Sequence, residues 1–316
     1  MTLAVDPEVL AELAPLLAAA AAADPPAVGD VAARRASSAA LFGRLASARP
    51  PVPGVSMTAY QIAAQDGSTI PARWYSRDDG ASPGSAALYL HGGGMILSLE
   101  QTGALYDAVV RGYVAATGVP MLMVDYRVAP EFGDPVPAQD CLAALNWLAD
   151  HSPRFGVDPS RIAVMGDSAG GGLAAGVCLA ARDGGGPAVA AQLLIYPMLD
   201  DRTVDPDPLI APFLTWTYDD NVTGWRALLG DRAAGPYAAP ARAEDLTGLP
   251  PAYLDIGALD VFRSEVLRYA DRLAVAGVPV ELHLHEGCPH ASEMLAPNAG
   301  SSRRAIEDRV RRLRTI

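Results

Sequence analysis

The chain has 316 residues, half of them hydrophobic, with 24 basic against 36 acidic side chains and a net charge of −12. That length buries a large core and suits one α/β domain with an appended cap. The acidic balance argues against nucleic acid and anionic membranes as partners. All basic residues are arginine, which removes lysine Schiff bases, pyridoxal-phosphate lysines and P-loop lysines from consideration.

The N-terminus lacks a basic leader, and the apolar run Ala14–Ala23 is short, Ala-rich and interrupted by Pro15. It fits neither a signal peptide nor a membrane span, so a soluble, cytoplasmic protein with no stable membrane insertion is expected. Residues 1–49 read as helices. Asp6-Pro7-Glu8 is a helix start, and Arg34–Leu45 is a second amphipathic stretch. Pro50–Pro53 marks a boundary. Thr58–Ala64 and Ile70–Tyr75 read as strands around an Asp66-Gly67 turn.

The rhythm then becomes apolar strand followed by helix. Strands are predicted at Ala86–Leu90, Met121–Val124, Ile162–Met165, Gln192–Ile195, Ala252–Ile256 and Val280–His285. Helices are predicted near Gly103–Thr117, Pro137–Asp150, Ala169–Arg182 and Ser264–Ala276. Such alternation implies an α/β fold with a mostly parallel central sheet and helices on both faces. The stretch from Ile195 to Ala252 is too long for a simple crossover. It reads as an inserted cap, helical near Trp216–Leu229, so that residues 1–49 and about 200–245 would cap a single domain. The tail Ile306–Leu313 reads as a basic amphipathic helix with a solvated polar face.

The motifs sit on this frame. His91-Gly92-Gly93-Gly94 follows the first apolar strand, and three glycines leave the backbone free to aim N–H groups into a cavity. Gly166-Asp167-Ser168-Ala169-Gly170 follows the strand at Ile162 and opens a helix. That strand–turn–helix context is what a nucleophile elbow requires, and the helix N-terminus suits a developing oxyanion. Ser168 is therefore the expected nucleophile.

A serine nucleophile needs a base, and the chain has 5 His. His91 reads as an orienter of the glycine loop and His151 as a surface residue. His283 and His285 share a strand face, but no third ligand suggests a metal. His290 follows the last strand, in the layer where parallel sheets place their chemistry. It also respects the chain order Ser, acid, His. Asp255 and Asp260 compete as the acid. Asp255 lies inside a strand, whereas Asp260 follows its end and is preferred. The 3 cysteines, Cys141, Cys178 and Cys288, are widely spaced and read as packed small side chains rather than a disulfide framework.

Together with Asp125–Glu131 and Tyr196-Pro197, these motifs resemble the hormone-sensitive lipase-like group of bacterial esterases of the α/β-hydrolase fold, similar to heroin-esterase-like actinobacterial enzymes. The resemblance spans nearly the whole chain. It implies an oxyanion hole from the N–H groups of Gly92, Gly93 and Ala169. It also implies a bracing role for Tyr126–Glu131 and a helical cap over the site. Met95 stands where the group usually has an aromatic, and Ala291-Ser292 follows His290 in place of Gly-Phe. Met95, Asp167 and Trp216 are the expected substrate-binding residues. The expected activity is hydrolysis of a small carboxylic ester, of short to medium acyl chain, through an acyl-enzyme without metal or cofactor. Lactone, amide or carbamate hydrolysis would use the same triad. A ligand-binding receptor of this fold is the non-enzymatic alternative, disfavoured by the presence of Ser168, Asp260 and His290 together. A homodimer through the last strand is a further expectation. With an ordinary imidazole, activity should fall below about pH 6.

Overall fold

Short apolar runs with no polar side are stable only where both faces of the sheet are covered. The computed structural model, which describes residues 3–21 and 24–316, disposes of them in that way. β1 (Val55–Ala63), β2 (Thr69–Arg77), β3 (Ala86–Leu90), β4 (Met121–Val124), β5 (Ile162–Asp167), β6 (Ala191–Ile195), β7 (Ala252–Gly257) and β8 (Val280–His285) form one sheet. Its order is β1-β2-β4-β3-β5-β6-β7-β8. β1 and β2 form an antiparallel hairpin, β2 joins β4 antiparallel, and all later pairings are parallel. β3 to β7 are buried throughout, whereas β8, at the end of the sheet, leaves Leu282 and Leu284 exposed.

The helices are α1 (Pro7–Ala21), α2 (Val31–Ser47), α3 (Leu99–Thr117), α4 (Val136–His151), α5 (Ala169–Gly184), α6 (Tyr218–Leu229), α7 (Arg263–Val275), α8 (Ser292–Leu295) and α9 (Gly300–Leu313). Their starts follow local chemistry. Asp6 accepts from the Glu8 amide at the head of α1. Ser98 and Gln101 form a capping box on α3, and Thr217 with Asp220 forms one on α6. No described helix is long and apolar enough to cross a membrane.

Two adjacent arginines of α2 tie the N-terminal helices to the rest. Arg34 is buried, pairs with Asp220 of α6 at 2.8 Å and reaches the Pro26 carbonyl. Arg35 faces the core, donating to the carbonyls of Ile96 and Ala129 and pairing with Glu131 at 2.6 Å. α1 packs elsewhere, against α8 and α9, where Val9 and Leu13 bury Cys288, Ala296 and Ala299.

The final helix corrects one sequence expectation. α9 is not simply a solvated helix. Ser301, Ser302, Ala305, Arg309 and Leu313 form a buried face. Arg309 is only 2% exposed and pairs with Asp255 of β7 and Glu293 of α8. Its polar side chain faces inward because two carboxylates wait there.

Candidate active site

The elbow forms where β5 must turn into α5 without room for side chains. A Cβ on Gly170 would lie 2.1 Å from the Leu90 carbonyl oxygen, and one on Gly166 would lie 2.2 Å from that of Gly170. With these neighbours so close, Ser168 is held at φ 54° and ψ −121°, a conformation that L-residues adopt only under constraint. Its amide donates to the Ile195 carbonyl, and its carbonyl accepts from Met198. The loop after β6 thus fixes the strained residue from both sides.

His290 stands opposite. Its Nε2 is 3.0 Å from Ser168 Oγ, and its Nδ1 is 2.7 Å from Asp260 Oδ2. Asp260 is fully buried, and its other oxygen accepts the Phe262 amide at 2.9 Å. The imidazole is gripped by two ring edges, Tyr196 at 4.8 Å and Phe262 at 5.2 Å between centroids. Burial pulls the His290 pKa down, but the Asp260 carboxylate outweighs it by charge and hydrogen bond, so the net shift is upward from 6.5.

The glycine loop abuts the elbow, since β3 and β5 are neighbours and Leu90 pairs with Gly166. Here the structure corrects the expected donor set. The Gly92 amide is already engaged, donating to Tyr106 Oη at 2.8 Å. Among the described residues, the amides of Gly93, Gly94 and Ala169 donate to no protein acceptor. Gly93 and Gly94 have φ of 128° and 60°, values open to glycine at no steric cost. Of the glycines, Gly92 is thus engaged, while Gly93 and Gly94 keep free amides beside that of Ala169.

A family model described as "alpha/beta hydrolase fold" matches residues 87–294, which contain every group just described. The chain belongs to the α/β-hydrolase fold family. Membership in its hormone-sensitive lipase-like group also agrees with its relatives. It is 40% identical over 200 residues to esterase LipI of Mycobacterium tuberculosis, covering 62% of each chain. It is 33% identical over 243 residues to ethyl acetate hydrolase of Pseudomonas putida, covering 72% of this chain and 73% of that one. The match thus spans 62% of the length of the mycobacterial esterase. Among solved structures, a bacterial heroin esterase superposes with a TM-score of 0.85 at 37% identity, covering 98% of this chain and 97% of that one. A thermostable esterase from Pseudomonas putida gives a TM-score of 0.88 at 28% identity, covering 99% and 97%.

Three side chains were expected at the substrate; two of them are buried in other roles, and the third, Trp216, lies against the glycine loop. Met95 has φ 63° and is 0% exposed, part of the hydrophobic core. Its side chain presents no solvent-accessible surface. Asp167 is also buried. Its Oδ1 accepts Tyr89 Oη at 2.9 Å and its Oδ2 accepts Tyr106 Oη at 2.5 Å. Burial pushes its pKa up to about 6, against the pull of both tyrosines. At neutral pH a relay therefore runs from the Gly92 amide through Tyr106 to the Asp167 carboxylate, which braces the glycine loop instead of meeting substrate. Trp216 is half-buried and lies on Gly94, where an added Cβ would come within 2.4 Å of its indole ring. Its neighbour Thr215 donates to the His290 carbonyl at 2.7 Å.

The remaining candidates fall outside the site. His91 stacks on Tyr126 at 4.3 Å, and Tyr126 donates to the His91 carbonyl, in keeping with a bracing role for both. His151 is half-buried and stacks on Trp147. His283 hydrogen-bonds Glu281 on the sheet edge. Burial raises the pKa of the Cys288 thiol. Sequence reasoning missed Tyr89, Tyr106, Glu293 and Arg309. Only Glu293 offered a signal, as an acidic residue three positions past His290.

Proposed function

We propose that this chain is a serine hydrolase of small carboxylic esters, with Ser168 as nucleophile, His290 as base and Asp260 as its supporting acid. One observation carries the reading: the unbroken chain Asp260–His290–Ser168 beside three unengaged backbone donors. Relatives named as esterases support the same bond type.

In this reading His290 takes the Ser168 proton as Oγ attacks the ester carbonyl. The oxyanion enters the hole of Gly93, Gly94 and Ala169, where each donor is worth roughly 10²–10³ in kcat. Asp260 holds the imidazole tautomer and stabilises the imidazolium. The alcohol leaves with the proton from His290, and water repeats the sequence on the acyl-enzyme. α2 and α6 form the cap, and Trp216 lies over the oxyanion loop as its substrate-facing residue. An aromatic plane there favours short acyl chains.

A fluorophosphonate probe should label Ser168, and p-nitrophenyl acetate should turn over faster than longer esters. No labelling would favour the receptor reading, and faster lactone or anilide turnover would move the bond type. The pH profile of kcat/KM tests the base. Because Asp260 raises the His290 pKa, the neutral imidazole is lost at a higher pH than in a free histidine. The acid limb should therefore lie above about pH 6.5, where an unperturbed imidazole would place it. A rate independent of pH from about 5 to 8 would remove His290 as base.

A further inference from the structure

Burying charges is costly unless they are fully paired, and a well-packed apolar cluster serves stability equally well. This fold nevertheless buries three charges together: Arg309, Asp255 and, three residues past the base, Glu293. Arg309 Nε and Nη2 reach Asp255 at 2.5 and 3.0 Å, and its Nη1 reaches Glu293 at 2.7 Å. All three side chains are at most 4% exposed. Glu293 also accepts Tyr196 Oη at 2.5 Å. The Arg309 guanidinium lies 5.4 Å from the centroid of the same tyrosine ring.

Tyr196 links this cluster to the base. It follows β6 with φ 31°, an unfavourable value for a bulky residue. It is held by its amide on the Asp255 carbonyl at 2.8 Å and by its hydroxyl on Glu293. Its ring then meets the His290 imidazole near edge-on, at 70°.

We propose that Glu293, clamped by Arg309, is a positioning residue for His290. It pins the Tyr196 ring against the imidazole and sets a second fixed negative charge behind the base. This rests on the reading of His290 as base. The charges add in one direction, because one arginine faces two carboxylates and leaves a net negative cluster. The groups facing His290 are Asp260 after β7, Ser168 and Asp167 at the elbow, Tyr196 after β6 and Glu293 on α8, with Arg309 of α9 behind Tyr196. A carboxylate at Glu293 favours the imidazolium that forms as Ser168 attacks, so it acts on the transition state as well as on titration.

The test is kcat and KM for p-nitrophenyl acetate from about pH 5 to 9 in the full chain. Glu293→Gln removes the charge. The acid limb should move to lower pH by on the order of half a unit, and plateau kcat should fall about 3- to 10-fold at nearly unchanged KM. Glu293→Asp keeps the charge but shortens the reach to Tyr196, so it should lower kcat and leave the limb in place. A Glu293→Gln limb that coincides with wild type overturns the proposal, whatever happens to kcat. If that variant does not fold, Tyr196→Phe breaks the hydroxyl link and keeps the ring. It should lower kcat at constant KM, and an unchanged kcat overturns the proposal. Fluorophosphonate labelling separates this inference from the reading beneath it. A wild-type chain that neither labels nor turns over ester defeats the serine-hydrolase reading. A wild-type chain that labels, alongside an unmoved limb in the variant, defeats this inference alone.

Discussion

Ser168→Ala should lower kcat on p-nitrophenyl esters by about 10⁶-fold and abolish fluorophosphonate labelling. The size follows from geometry. Ser168 Oγ is the oxygen at 3.0 Å from His290 Nε2, and among the described residues that nitrogen has no other hydrogen-bond partner. Residual rate over water, roughly 10³-fold, would come from the oxyanion donors and binding alone. Stability should hardly change, because alanine inherits the same backbone at φ 54° and the Ser168 side chain caps no helix. Thermal denaturation with matched kinetics checks both halves. A variant keeping more than about a tenth of wild-type kcat would end the assignment of Ser168.

The second large effect is on stability. Arg309→Leu strands Asp255 and Glu293 in a dry interior, and removing one partner of a buried ion pair typically costs about 3–5 kcal/mol. In a chain of this size that lowers Tm by on the order of 10 °C. The pH dependence separates charge from packing. Burial tends to raise the Glu293 pKa, yet Arg309 and Tyr196 hold it below the ordinary value. A depressed carboxylate contributes stability above its unfolded pKa and loses it as pH falls through the folded value. Without the arginine that contribution disappears, and the stranded Glu293 carboxylate is relieved by protonation. The Tm gap between wild type and Arg309→Leu should therefore narrow toward pH 4. A gap constant with pH would assign the loss to packing alone.

How much of this was visible in the sequence depends on how local each cause is. The strands β3 to β7 were legible because a continuous apolar run between turn residues has few other uses. The elbow was legible because strand, serine and glycines are contiguous. His290 and Asp260 followed from chain order and strand ends. What stayed hidden depends on partners distant along the chain. The three glycines after His91 look alike, and only Tyr106 of α3 distinguishes Gly92 by occupying its amide. Asp167 beside the nucleophile reads as a substrate contact until Tyr89 and Tyr106 are seen to hold both its oxygens. Met95 reads as pocket-lining by its place after the glycines, yet its left-handed backbone is accompanied by full burial. Arg309 belongs to the polar side of an amphipathic pattern, and nothing near it announces Asp255 or Glu293.

The segment Thr215-Trp216 touches both halves of the reaction centre. The threonine hydroxyl holds the carbonyl of His290, and the indole rests on Gly94. Arg35 reaches the same neighbourhood from α2, through the Ile96 carbonyl just past the glycine loop. In the proposed enzyme the cap would therefore not be a modular lid that can be exchanged to alter selectivity while the chemistry beneath runs unchanged. Grafting a relative's cap onto this core would disturb acid–base alignment and oxyanion geometry together. If the chain acts as proposed, substrate range and turnover should thus evolve as one trait, through compensated changes on both sides of the Trp216–Gly94 contact.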